Sequence, residues 1–147
     1  MADAVPSVPA AISVGALLTP LDLPPVNRTT LALFAGASGD HNPIHIDIDF
    51  ARRSGMPDVF AHGMLSMAYL GRLLTRWLPQ SQLRSFSARF VAITHLGNEV
   101  RCSGQVTAIE DIGGERCARV SLSTINQFGQ TKMLGEAVVA IGPEAGA

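Results

Sequence analysis

The chain has 147 residues, enough for one domain with a sizeable core, and 47% of them are hydrophobic. Its net charge is −1, and a single lysine with scattered arginines gives no basic run to hold a nucleic acid. No apolar run is long enough to cross a membrane, and the apolar N-terminus has no basic leader and is broken by Pro6, Pro9, Pro20, Pro24 and Pro25, so a cytoplasmic protein is expected.

Residues 1–27 read as an extended lead-in, flexible over 1–10, with a short strand near Ile12–Leu18. Asn27 or Thr29 caps a short helix over about 30–37, and Gly39 suits its left-handed end. Asp40–His45 reads as loop, because Pro43 lacks an amide donor and keeps Asn42 out of the helical region. Asp47 or Asp49 caps a second short helix towards Arg53, stopped by Gly55.

The stretch 62–78 is the longest expected helix. Met64, Leu65, Ala68, Tyr69, Leu73, Leu74, Trp77 and Leu78 recur near a 3.6-residue period, with Arg72 and Arg76 on another face. Gly71 in its middle implies a close neighbour, and Pro79 ends it. From residue 84 the pattern alternates. Stretches 85–96, 99–110, 115–126 and 132–141 read as four long antiparallel strands joined by hairpins, with turns at Gly97-Asn98, Gly113-Gly114 and Phe128-Gly129. The expected fold is α+β: an antiparallel sheet of about five strands wrapped around one long central helix, as a single domain over 1–147. Cys102 and Cys117 lie in strands at no metal or redox spacing, and read as small buried hydrophobes.

Chemistry concentrates in SGDHNPIH, residues 38–45. Asp40 and His45 on a constrained loop can share acid–base work, with Asn42 bonded to either. They also fit an Asx-turn beside an inert histidine. His41 and His45 have the i, i+4 spacing of a metal pair, but Pro43 lies between them and no third ligand follows, so no metal is expected. His62-Gly63 opens the long helix, where unpaired first-turn amides can hold an oxyanion or merely start the helix. His95, beside a turn, reads as surface. Nucleophile-elbow and phosphate-loop patterns are absent from the chain.

The run FAGASGDHNPIH (34–45), with Ala51 six residues on, resembles the signature of the MaoC-like, R-specific enoyl-CoA hydratases. AHGML (61–65) resembles the second hallmark of that family. The likeness extends from about Ile12 to Ile141. It implies a hot-dog fold in which Asp40 and His45 are the catalytic pair, Asn42 positions them, and the Gly63 amide polarises a thioester carbonyl. It further implies substrate contacts at His62, Met64 and Leu65, with Met67 and Ala68 as further candidates. No cofactor is required, and the partner is an acyl-CoA or acyl-carrier-protein thioester. Arg84 or Arg89 are the candidates for the carrier phosphates. A homodimer or higher homo-oligomer is expected, with a heterodimer as the alternative. The competing activity is a hot-dog acyl-CoA thioesterase. Residues 62–78 hold no Asp or Glu to serve one.

Overall fold

Residues 12–143 are described by the computed structural model, so the lead-in expected over 1–10 lies outside the described residues. In chain order the elements are β1 (Leu21–Asp22), α1 (Arg28–Ser38), a 3₁₀ turn (Pro43–His45), α2 (Ile48–Arg53), α3 (Gly63–Trp77), a second 3₁₀ turn (Gln80–Gln82), β2 (Leu83–Phe90), β3 (Arg101–Ile112), β4 (Glu115–Ile125) and β5 (Thr131–Ala140). The strand expected near Ile12–Leu18 is reduced to a single bridge, Leu17 to Gln105, and the regular first strand follows at Leu21.

Local chemistry sets the helix ends. The Asn27 side chain accepts from the Thr30 amide to start α1, and Gly39, at φ 75°, ends it in the left-handed region. The Asp47 carboxylate accepts from the amides of Asp49 and Phe50 to start α2. The segment expected as plain loop at 43–45 tightens into a 3₁₀ turn, because Asn42 Oδ1 accepts from the Ile44 amide.

All strand pairs are antiparallel, and the sheet order is β1-β3-β4-β5-β2. The hairpin expected at Gly97-Asn98 therefore does not form. β2 pairs with β5, and its regular pairing stops at Phe90. Beyond it, the amides of Val91 and Ala92 both donate to the Lys132 carbonyl. The turn at 97–98 is real, but it pairs with Val26 through two backbone hydrogen bonds. Residues 91–98 thus cross from one edge of the sheet to the other.

This order gives the α3 face a continuous cover. Leu70, Leu73, Leu74 and Leu78 are buried along α3 and share one core cluster with Val106, Val120, Leu122, Met133, Ala137 and Val139. The strand residues alternate as a one-faced sheet requires. Fully burying each such side chain contributes about 1.5–3 kcal/mol. A second cluster holds Val26, Leu31, Ala51, Val59, Ala61 and Leu65, and ties α1, α2 and the start of α3 together. Phe86 is the close neighbour of Gly71. Cys102 and Cys117 are buried free thiols. Among the described residues, no helix is long and apolar enough to cross a membrane.

Candidate active site

Two segments far apart in sequence meet at the N-terminus of α3. One is 40–45, between α1 and α2. The other is 60–63, which is held by the crossing segment: the Ala61 amide donates to the Thr94 carbonyl, Phe60 bridges to His95, and Ser66 Oγ lies 3.3 Å from Thr94 Oγ1.

Asp40 directs Oδ1 at the Asn42 amide, 3.2 Å away, an Asx-turn that leaves the residue exposed. Asn42 caps the 3₁₀ turn, and its carbonyl accepts from the His45 amide. The loop is thereby folded so that His45 points inwards. His45 is 9% exposed, and its Nδ1 is 2.7 Å from the Phe60 carbonyl oxygen. A carbonyl only accepts, so Nδ1 carries the proton and Nε2 keeps the free lone pair. His62 lies beneath it: the two rings stack at 4.0 Å and 27°. Phe34 meets the His62 ring edge-on, and Phe60 meets the His45 ring likewise.

Asp40, His45 and His62 each bring one ligating atom within 4.8 Å of the others. The third ligand missing from the sequence pattern is thus supplied by the fold, while His41 stays exposed. Imidazole lone pairs lie in the ring plane, and two rings stacked face to face direct theirs side by side rather than onto one ion. One nitrogen of each ring is also occupied as an N–H donor to a carbonyl. The arrangement suits proton transfer better than metal binding.

Gly63 is the first residue of α3, so its amide has no acceptor within the helix. Two cavities lie near this helix end, and Gly63 lines the first. One, of about 300 Å³, is lined by Gly63, Ser66, Thr94 and Phe90 among others. The other, of about 490 Å³, is lined by Asp40 together with Phe34, Met64, Met67, Ala68 and Phe86. Met64 is exposed into this space, while Leu65 is 5% exposed and packed in the second core cluster. His95 is exposed, as read from its turn. Arg84 is engaged by both carboxylate oxygens of Glu115, at 2.7 and 2.6 Å, which leaves Arg89 as the exposed arginine of β2 outside an ion pair among the described residues.

The Phe60 carbonyl, Thr94 and Phe90 were not legible as parts of the site. Phe60 acts through its backbone carbonyl, which any residue would offer. Thr94 and Phe90 join the site by topology, at no fixed spacing from the motif, whereas Phe34 opens the motif itself.

Residues 15–127 match the family model described as MaoC like domain. The chain is 32% identical over 113 residues to an (R)-specific enoyl-CoA hydratase of Aeromonas caviae, covering 76% of this chain and 83% of that protein. It is 26% identical over 113 residues to a 3-hydroxyacyl-thioester dehydratase Z of Mycobacterium tuberculosis, covering 73% and 75%. The solved (R)-hydratase of A. caviae superposes with a TM-score of 0.79 at 28% identity, over 91% of this chain and all of that one. A chain of the ChsH1-ChsH2 complex of M. tuberculosis matches with a TM-score of 0.77 at 25% identity, over 90% and 100%.

Proposed function

The chain belongs to the MaoC-like domain family, and from that premise we propose that it is an R-specific enoyl-thioester hydratase, acting in reverse as a 3R-hydroxyacyl-thioester dehydratase. The observation that carries the reading is the fixed tautomer of His45. The His45 ring clusters with Asp40, which lines an apolar cavity beside an uncapped helix N-terminus.

A trans-2-enoyl thioester is electrophilic at C3. Asp40 and His45 hold a water molecule over it. The water oxygen bonds C3 as one of its protons moves to His45 Nε2, and the C2–C3 π pair becomes enolate charge on the thioester oxygen. The Gly63 amide, aided by the positive end of α3, stabilises that charge. The carbonyl then re-forms as C2 takes the proton back from His45. Asp40 orients the water and stabilises the transient imidazolium. The net change is the addition of H and OH across the double bond, with no metal or redox cofactor in any step. The acyl chain occupies the cavity lined by Met64, Met67, Ala68 and Phe86. The carrier, CoA or an acyl carrier protein, leaves towards Arg89.

Self-association in the cytoplasm is part of the proposal. The outer edge of β2 has no strand partner among the described residues, and Phe90, Val91 and Ile93 are exposed beside it. The ChsH1-ChsH2 complex supports the alternative of a heteromer.

The test is hydration of crotonyl-CoA and a longer trans-2-enoyl-CoA, beside Asp40→Asn and His45→Gln variants of unchanged fold. Loss of enoyl absorbance should give the 3R product and fall about 10²- to 10⁴-fold in each variant. Undiminished turnover in both variants would remove the pair from the mechanism. Thiol release without hydration would turn the assignment to a thioesterase.

A further inference from the structure

We propose that His62 is a positioning residue, which fixes the Asp40 backbone and the His45 ring without touching substrate. The inference rests on the hydratase reading and deepens it. His62 is 1% exposed, so it has no open face to offer an acyl thioester. It stands at the N-cap position of α3, yet its side chain makes no capping bond there. Its Nε2 is instead 3.1 Å from the carbonyl oxygen of Asp40, 22 residues earlier. That oxygen can only accept, so Nε2 bears the proton and Nδ1 is bare. Nδ1 is buried and has no hydrogen-bond partner among the described residues.

An orphan buried nitrogen is a cost that an apolar side chain would avoid. The compensation lies in two contacts. Asp40 follows the left-handed Gly39, and its amide donates to Ser38 Oγ at 3.2 Å, a contact within its own turn. The bond from His62 ties the Asp40 backbone to α3, the helix whose first amide faces the developing oxyanion. The second contact is the face of the His45 ring, which the His62 ring supports on one side while Phe60 closes the edge.

The stack also demands that only one ring take up a proton. Two imidazolium rings at 4.0 Å would repel strongly. The titratable groups facing His62 are Asp40 and His45, and Phe34 from α1 carries no charge. Burial first, and the neighbouring His45 after it, hold His62 below the usual histidine range. His45 is left as the ring that changes charge during turnover.

Two variants and one spectrum test this. His62→Phe keeps a ring in the stack and removes the N–H. His62→Gln keeps a donor near the Nε2 position and removes the ring. His62→Phe should lower kcat by roughly 10- to 100-fold with KM little changed, the size of a small misplacement at a reacting centre. His62→Gln should recover part of kcat. A raised KM at unchanged kcat would instead make His62 a substrate contact and overturn the proposal, as would two variants indistinguishable from wild type. Ring-nitrogen NMR of the unaltered protein decides the matter if neither variant folds or if no enoyl thioester is turned over. His62 should hold the Nε2–H tautomer at neutral pH and take up a second proton only below the ordinary histidine value of about 6.5. An Nδ1–H tautomer overturns the proposal. Absence of hydration by wild type with the expected tautomer present counts against the hydratase reading alone.

Discussion

Gly63 and Phe90 approach so closely that a methyl group on the glycine would stand 2.8 Å from Cε1 of the phenyl ring. The ring is half exposed and can swing aside, so the contact shapes the cavity rather than the core. Alanine is the better helix former by about 1 kcal/mol, so Gly63→Ala should not lower the melting temperature. It should lower kcat/KM on the order of 10-fold by displacing the cavity wall at the amide that holds the oxyanion. Adding Phe90→Ala should restore most of the loss. A double variant as slow as Gly63→Ala would show that the ring is not the obstacle.

Gly135 offers a contrast. A Cβ there would lie 2.8 Å from the Ser87 carbonyl oxygen, which is main chain of the paired strand and cannot rotate away. Gly135→Ala should therefore cost about 1–3 kcal/mol of stability, as overpacking does. Chemical denaturation reads this as a lowered midpoint at an unchanged slope. An unshifted midpoint would contradict the β2–β5 register.

Burial pushes the Cys102 thiol up to about 12 from an ordinary value of 9.0. Between those pH values the unfolded chain releases the proton and the folded chain keeps it. Stability from this group is therefore complete below pH 9.0 and declines as pH rises, by at most about 1.4 kcal/mol per pH unit. Cys117 and Tyr69 shift in the same direction, so the informative quantity is the difference between wild type and Cys102→Ala. The two stability curves should converge above pH 9.0. Parallel curves would mean that water reaches the thiol.

His62 gives the opposite limb. Its folded value lies below the ordinary 6.5, chiefly through burial. The unfolded chain binds the proton first as pH falls, so stability is full above 6.5 and drops from there towards the folded value. Acid titration followed by circular dichroism should show a shallower loss in His62→Phe than in wild type. Equal slopes would place the acid sensitivity elsewhere.

Asp47 accepts from two amides at the start of α2. Asp47→Ala should lower stability by about 1 kcal/mol. Asp47→Asn should recover most of it in the same denaturation experiment.

The sequence made α3 legible, because Leu65, Leu73, Leu74 and Leu78 recur at helical spacing and a proline follows, though the buried Leu70 was not in the pattern read. The caps at Asn27 and Asp47 were legible because amide capping needs a specific side chain. The pairing of β2 was not. Gly97-Asn98 has hairpin chemistry, but a turn states only that the chain reverses, not which strand it meets. That choice follows from the need of α3 to be covered on its far side. At the site, Asp40, His45 and Gly63 could be read from two motifs. The Phe60 carbonyl could not, because a backbone acceptor leaves no trace in residue identity.

The sheet order also sets a timetable for synthesis. β2 leaves the ribosome before β3 and β4, yet among the described residues its hydrogen-bonded neighbour is β5, some forty residues later. A nascent chain can assemble β3 against β4 as a local hairpin, while β2 and the flank of α3 beside it wait without a mate. Closure requires residues 131–140, which take the place between β4 and β2. Until then the growing polypeptide displays an unmatched strand edge and a leucine-rich helix, the features that chaperones bind and that neighbouring nascent chains aggregate through.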